Sequence, residues 1–139
     1  MPGSKFHIHR HELPRYLYHA TWKVNHDSIM KLGLIVDRRT HTGVTNHSFC
    51  RPGIYLATAT GLAVQMVKDS TGDVPASWFK NSGHMMILRV PSRYLLCRHA
   101  FMDTNYHAVM EVWSPNRTIE SIRYAMDIPP GHISVVKFL

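Results

Sequence analysis

The sequence predicts an α+β fold in which two small β-sheets pack on each other and carry short helices. Two observations lead to this prediction. Runs typical of strands, rich in β-branched and aromatic residues, recur along the chain, whereas helical spacing of apolar residues is strongest in two short segments of its first half. Each of these two helical segments directly follows a strand, so a strand-to-helix unit occurs twice.

The first unit begins with the strand RYLYHATW, residues 15–22, which contains His19 within an apolar and aromatic run. A helix is predicted from Asn25 to Leu32, because Asn25 supplies capping chemistry and apolar residues follow it. Gly33 provides the left-handed residue on which a helix commonly ends.

The second unit consists of the strand GIYLAT, residues 53–58, which contains Tyr55, and of a helix that Thr60 caps. Residues 37–52 between the units show no apolar periodicity. Their length is typical of a binding loop rather than of a plain connection. This loop contains three arginines, Arg38, Arg39 and Arg51.

The second half of the chain is predicted to be mostly strands. These cover residues 84–90, 107–113, 118–125 and 134–139, with the proline-fixed turn DIPPGHI before the last strand. Glu111 and Glu120 fall inside two of these strands, where a carboxylate is costly unless it is paired or serves a site. The chain contains one other glutamate, Glu12, near its N-terminus.

Length and composition favour one domain over residues 1–139, with residues 1–14 as an N-terminal extension. The formal net charge of +7 favours phosphate-rich or acidic partners. No apolar run approaches the roughly 18 to 20 residues of a membrane span, and Cys50 and Cys97 form no CxxC pair. We therefore expect a cytoplasmic protein without a membrane partner.

Several residues have a plain structural interpretation when they are taken singly. His19 is then a hydrogen-bonded core histidine and Tyr55 a core aromatic residue. His7, His9 and His11 alternate in the manner of metal ligands, but no fourth ligand follows at a defined spacing, so no metal site is expected. A last group of histidines shows no recognisable partner spacing and is expected to be structural or superficial: His84, His99, His107 and His132.

The order of the motifs is more informative than any single residue. YHAT precedes a helix ending in GL, GIYLATAT precedes a second helix, and IESIRY precedes DIPP. In this order, and over roughly residues 15–136, the chain resembles the ADP-ribosyltransferase superfamily of the histidine, tyrosine, glutamate type. YLATAT is similar to the rifampicin-inactivating branch, and DIPPGHI to several bacterial and phage-like branches. The resemblance implies that NAD binds as a co-substrate in a cleft between the two sheets.

The resemblance also implies roles for individual residues. His19 is expected to hold a ribose hydroxyl of NAD, Tyr55 to stack on the nicotinamide ring, and Glu120 to bond the 2′-hydroxyl of the nicotinamide ribose. A carboxylate there stabilises the oxocarbenium-like sugar that forms as nicotinamide leaves. Glu111 is the alternative to Glu120. The remaining residues expected to bind NAD are Thr21 of the YHAT motif, and Arg38, Arg39 and Arg51 as clamps for the pyrophosphate.

The activity implied is mono-ADP-ribosylation of a macromolecular acceptor, and the positive charge favours nucleic acid or an acidic protein. Arginine is a less expected acceptor, because Val109 and Thr118 stand where arginine-modifying members have Glu or Gln. Antibiotic modification stays open because of YLATAT. An NAD-dependent RNA 2′-phosphotransferase is disfavoured, because only about 15 residues precede YHAT. The competing class is a non-catalytic module on the same fold that binds a nucleotide or nucleic acid.

Overall fold

An antiparallel β-sheet and short helices make up the part of the chain described by the computed structural model, which covers residues 6–36, 52–70 and 85–139. The α+β class is therefore confirmed. The strands are β1 (Tyr16–Trp22), β2 (Ile54–Ala57), β3 (Met85–Pro91), β4 (Ala100–Met102), β5 (Ser121–Tyr124) and β6 (Ser134–Phe138). The α-helices are α1 (His26–Leu32), α2 (Thr60–Ser70) and α3 (Val109–Val112). Single 3₁₀ turns span Arg10–Glu12, Lys23–Asn25, Ser92–Tyr94, Cys97–His99 and Pro130–His132.

The strands form one six-stranded sheet in the order β4-β5-β2-β1-β3-β6. The prediction of two sheets packed face to face is therefore wrong. Burial patterns tell which face of a strand is covered, but the partner along each edge depends on main-chain hydrogen bonds that leave little trace in the sequence. The sheet nevertheless has two three-stranded halves, β6-β3-β1 and β2-β5-β4.

The junction between the halves is narrow. Within the described strands, β1 and β2 are paired only at Tyr18 and Ala57. By contrast, β1 is paired with β3 along its whole length, and β2 is paired with β5 along its whole length. The strands β1 and β2 therefore part on the side of the junction that leads toward Ile54.

The two faces of the sheet are covered by different elements. Leu17 of β1 and Leu88 of β3 point to one face of the sheet and belong to the larger buried cluster. This cluster also contains Ile29 of α1 and Ile8 of the N-terminal segment. The other face carries a smaller cluster in which α2 packs on β1, β2 and the start of β3. Its members are Ala20, Trp22, Ala57, Ala63, Val67 and Met85.

Helix α1 ends at Gly33, as predicted, and this glycine has a φ of +81°. A Cβ atom at this position would come into hard contact with the carbonyl oxygen of Ile128. Leu34 and Ile128 exchange two main-chain hydrogen bonds, each of 2.9 Å. The end of α1 is thus joined to the DIPPGHI turn.

One predicted strand differs from the structure. Residues 107–113 contain the single-turn helix α3 instead of a strand, because a short apolar run fits either period and the amide of His107 bonds to Asp103 within a local turn. Residues 6–14 of the expected N-terminal extension pack on the sheet, since Ile8 is buried and its amide bonds to Ala100. None of the helices in the described ranges has the length and apolar character that crossing a bilayer requires.

Candidate functional site

The three residues expected to act on NAD belong to three neighbouring segments of the sheet. His19 is in β1, Tyr55 is in β2, and Glu120 lies one residue before β5. Because β2 lies between β1 and β5, the strand order brings these segments side by side. The amide of Thr58, just after β2, donates to the carbonyl oxygen of Glu120 at 3.0 Å, which fixes the register at the start of β5.

The side chain of His19 is buried, with 5% of its surface exposed. Its Nδ1 lies 2.9 Å from the carbonyl oxygen of Tyr55. A carbonyl oxygen can only accept, so Nδ1 carries the proton and the lone pair of the neutral ring is on Nε2. The strands are not paired at this position. The imidazole therefore joins the two halves of the sheet where main-chain hydrogen bonds between them do not.

The side chain of Tyr55 is half-buried and stands opposite Arg123 of β5. Alternation along β2 gives it the same face of the sheet as Ala57, which is the face covered by α2. His19 shares the opposite face with Leu17. The ring of Tyr55 and the imidazole of His19 therefore belong to different faces of the sheet.

The other residues expected to bind NAD divide into two groups. Thr21 is fully buried, and its hydroxyl oxygen accepts a hydrogen bond of 3.1 Å from the side-chain amide of Asn25. Thr21 thus contributes to the link between β1 and α1. Arg38, Arg39 and Arg51 lie outside the described residues, so their role as pyrophosphate clamps stays a prediction.

Glu120 is exposed and does not lie in a strand interior, because β5 begins one residue later. Its Oε2 accepts a hydrogen bond of 2.8 Å from the phenol of Tyr106. This hydrogen bond to the carboxylate is the main reason why the pKa of Tyr106 lies above its ordinary value. The phenol therefore remains a protonated donor at neutral pH. The carboxylate is held through one oxygen and is still accessible from solvent.

Glu111, the alternative catalytic glutamate, lies on α3 instead of in a strand, and 58% of its side chain is exposed. Its Oε2 is 2.8 Å from Nδ1 of His107. The other ring nitrogen of His107 lies 3.2 Å from the amide nitrogen of Glu120 and 3.3 Å from that of Ser121. The two candidate glutamates are therefore connected through one imidazole.

A cleft of about 690 Å³ adjoins the segment that leads into Glu120. Thr58, Thr118 and His9 are among the residues that line the cleft. Arg117 and Glu12, which also line the cleft, form a two-bonded ion pair with both N to O distances at 2.8 Å. This pair lowers the pKa of Glu12 and raises that of Arg117. The N-terminal segment is thus part of the wall of the cleft.

Sequence patterns alone do not identify Tyr106 and His107 as neighbours of Glu120. One usable signal exists, because His107 and Glu111 are four residues apart, the spacing at which side chains meet on a helix. The strand predicted for this segment conceals that signal. Tyr106 has no comparable signal, because its contact with Glu120 depends on how the turn after β4 folds back toward β5.

These residues place an imidazole, an aromatic ring and a carboxylate on neighbouring segments of the sheet, and a carboxylate can stabilise a positive charge that develops nearby. Among the described residues, no three His, Cys, Asp or Glu side chains converge as a metal site would require. Comparison of the chain with protein-family models, with curated proteins and with solved structures finds no match.

Proposed function

We propose that this protein is an NAD-dependent mono-ADP-ribosyltransferase with an ADP-ribosyltransferase-like fold. The catalytic residues are His19, Tyr55 and Glu120, and the acceptor is a macromolecule, either nucleic acid or an acidic protein. One observation carries the proposal. The segments that contain these residues are neighbours in the sheet. His19 and Tyr55 lie where β1 and β2 part, and Glu120 lies beside Thr58 at the other end of β2. The roles of the residues come from the resemblance of the motifs.

The end of pairing between β1 and β2 beyond Tyr18 and Ala57 supports the proposal, because it sets His19 and Tyr55 on the two sides of the junction between the halves of the sheet. With its proton on Nδ1, His19 has Nε2 as its acceptor. Nε2 is buried in this structure, so it meets a ribose hydroxyl only after neighbouring groups move. Tyr55 offers a flat ring for stacking on nicotinamide.

Glu120 carries out the electrostatic part of the reaction. The bond between the nicotinamide nitrogen and C1′ of the ribose breaks, and its electron pair leaves with neutral nicotinamide. The positive charge that develops at C1′ is stabilised by the Glu120 carboxylate. A nucleophilic atom of the acceptor then bonds to C1′ and loses its proton to solvent water. Tyr106 keeps one carboxylate oxygen in place during these steps.

The acceptor approaches through the cleft beside Glu120. This cleft adjoins the main chain directly before the catalytic carboxylate, because Thr118 and Ile119 line it. A net charge of +7 raises the local concentration of polyanions around the protein and so favours nucleic acid or an acidic protein surface.

The test uses NAD labelled in its adenylate part, with the purified protein and separate samples of RNA, DNA, a protein lysate and a rifamycin-type antibiotic. We expect released nicotinamide and label on RNA, DNA or protein. Glu120→Gln is expected to lower nicotinamide release by about 100-fold or more, as happens when one transition-state contact is removed. Asp27→Asn is the matched control, because this carboxylate is fully exposed on α1.

The other outcomes are equally specific. Label on the antibiotic alone would assign a small-molecule acceptor, and loss of a 2′-phosphate from RNA would assign the phosphotransferase reaction. RNA or DNA binding that survives Glu120→Gln, without nicotinamide release by either protein, would overturn the proposed enzyme in favour of a non-catalytic binding module.

A further inference from the structure

His107 occupies an unusual place for a histidine, because it connects a helix to the main chain that carries Glu120. Only 2% of its surface is exposed. Its Nε2 faces two main-chain amides, those of Glu120 at 3.2 Å and of Ser121 at 3.3 Å. Because both amides are donors, Nε2 must be the unprotonated acceptor, and the proton is on Nδ1.

Glu111 fixes this state of the ring. The proton on Nδ1 of His107 points to Oε2 of Glu111 at a separation of 2.8 Å. A carboxylate that accepts from one ring nitrogen sets both the orientation of the imidazole and the position of its proton. The exposed carboxylate of Glu111 thereby determines what the buried side of His107 offers to the start of β5.

The main chain at Glu120 is consequently held on both of its sides. Its amide bonds to His107, and its carbonyl oxygen accepts from the amide of Thr58. The turn that contains His107 is itself anchored to β5, since the carboxylate of Asp103 accepts a hydrogen bond of 2.6 Å from the hydroxyl of Ser121. Glu120 thus has a fixed backbone although its side chain is exposed.

We infer that His107, oriented by Glu111, is a positioning residue that directs the carboxylate of Glu120 toward the substrate. The inference rests on the proposed function, because it assigns a task to the backbone of a catalytic residue. It also gives Glu111 a role that differs from catalysis. A catalytic group that shifts by about 1 Å loses up to about 100-fold in rate, so such an anchor acts on the chemical step.

Two substitutions of His107 separate its contacts. In His107→Gln the amide oxygen lies near the former Nε2 and can accept from the amides of Glu120 and Ser121. In His107→Asn the shorter amide lies near the former Nδ1, so it can meet Glu111 but cannot reach β5. His26→Asn is the control, because His26 lies on α1 and contacts Phe138 at the far edge of the sheet.

The readouts are kcat and KM for nicotinamide release and the hydrogen exchange of the amides of Glu120 and Ser121. We expect His107→Asn to lower kcat by about tenfold or more, to change KM for NAD by less than about twofold, and to accelerate exchange of both amides. His107→Gln is expected to stay within about threefold of the wild-type kcat with slow exchange.

The outcomes distinguish this inference from the function on which it rests. Wild-type protein that releases no nicotinamide overturns the proposed function, and the assignment of His107 to catalysis is then overturned with it. If the wild-type protein is active and His107→Asn has the same kcat, the positioning role alone is overturned. Equal loss of kcat in the Gln and Asn variants also overturns it, because only the Asn variant lacks an acceptor for the two amides.

Discussion

Nδ1 of His19 donates a hydrogen bond of 2.9 Å to the carbonyl oxygen of Tyr55 across the place where β1 and β2 part. One side chain therefore serves two purposes under the proposed function. Its Nδ1 donates to the second half of the sheet, and its Nε2 is the proposed acceptor for a ribose hydroxyl of NAD. These two purposes can be separated by substitution.

His19→Asn should keep the first purpose and lose the second, because an asparagine amide can occupy the place of Nδ1 but not that of Nε2. We expect unfolding stability close to that of the wild type and an NAD affinity lower by about five- to tenfold, the value of one hydrogen bond. Thermal unfolding and calorimetric titration with NAD measure the two effects.

His19→Ala provides the comparison, because it leaves the carbonyl of Tyr55 without this donor. We expect it to lower the unfolding free energy by about 1 to 3 kcal/mol in addition to weakening NAD binding. An Asn variant that binds NAD as tightly as the wild type would contradict the role of Nε2.

The hydrogen bond between Tyr106 and Glu120 is open to a titration that does not depend on catalysis. The carboxylate raises the pKa of Tyr106 above the ordinary value of 10.0. The bond therefore contributes fully to stability below pH 10, and the contribution is lost as the pH rises through the higher value in the folded protein. In Glu120→Gln we expect the pKa of Tyr106 to fall back toward 10.0.

Tyrosinate absorbance as a function of pH measures this change, and subtraction of the Tyr106→Phe titration isolates Tyr106. Asp27→Asn should leave the curve unchanged. Identical titrations of the wild-type and Glu120→Gln proteins would mean that the phenol is not bound to the carboxylate in solution.

The ion pair between Glu12 and Arg117 should stabilise the N-terminal segment in a pH-dependent manner. The hydrogen bonds from Arg117 lower the pKa of Glu12 below its ordinary value of 4.5. We expect Glu12→Gln to lower the unfolding free energy by about 1 to 3 kcal/mol at neutral pH, typical of a hydrogen bond to a charged group.

Because the pKa of Glu12 is lowered, this difference should be present above pH 4.5 and should disappear as the pH falls through the value in the folded protein. Urea unfolding of both proteins at several pH values measures it. Asp27→Asn, which removes the fully exposed partner of His26, should leave the stability nearly unchanged. A difference between Glu12→Gln and wild type that stays constant into the acid range would contradict the ionic origin.

Gly33 should be the glycine least tolerant of alanine among the four whose surroundings are described. Its φ of +81° disfavours any side chain, and a Cβ would collide with the carbonyl oxygen of Ile128. We expect Gly33→Ala to lower the free energy of unfolding by about 1 to 3 kcal/mol. Gly61→Ala, whose Cβ meets nothing within 4 Å, should instead stabilise the protein by about 0.4 to 1 kcal/mol. Unfolding of both variants in urea decides the matter, and equal effects would contradict this account.

Local signals allowed much of the fold to be predicted from the sequence. Apolar runs indicated β1 and β3 to within about one residue, and Gly33 marked the end of α1. The same signals failed for residues 107–113, because a short run fits both helix and strand. How the strands combine into one sheet could not be predicted, since pairing is made by main-chain groups that every residue has.

For the candidate site, the sequence indicated which motifs to compare but not how their side chains are held. His19 and Tyr55 lie on adjacent strands, yet neither motif shows that Nδ1 of one bonds to the carbonyl of the other. The contact between Tyr106 and Glu120 likewise joins residues with no shared local pattern. Such contacts depend on tertiary structure and become visible only when the chain is folded.

The close approach of Gly33 to Ile128 has a consequence for how this sequence can vary. The KLGL and DIPP motifs are far apart in the sequence, but in the structure the main chain of one contacts the main chain of the other. A residue larger than glycine at position 33 would require the main chain at Ile128 to move away. The main chain of the DIPP turn therefore helps to keep position 33 a glycine, whatever side chains the turn itself carries.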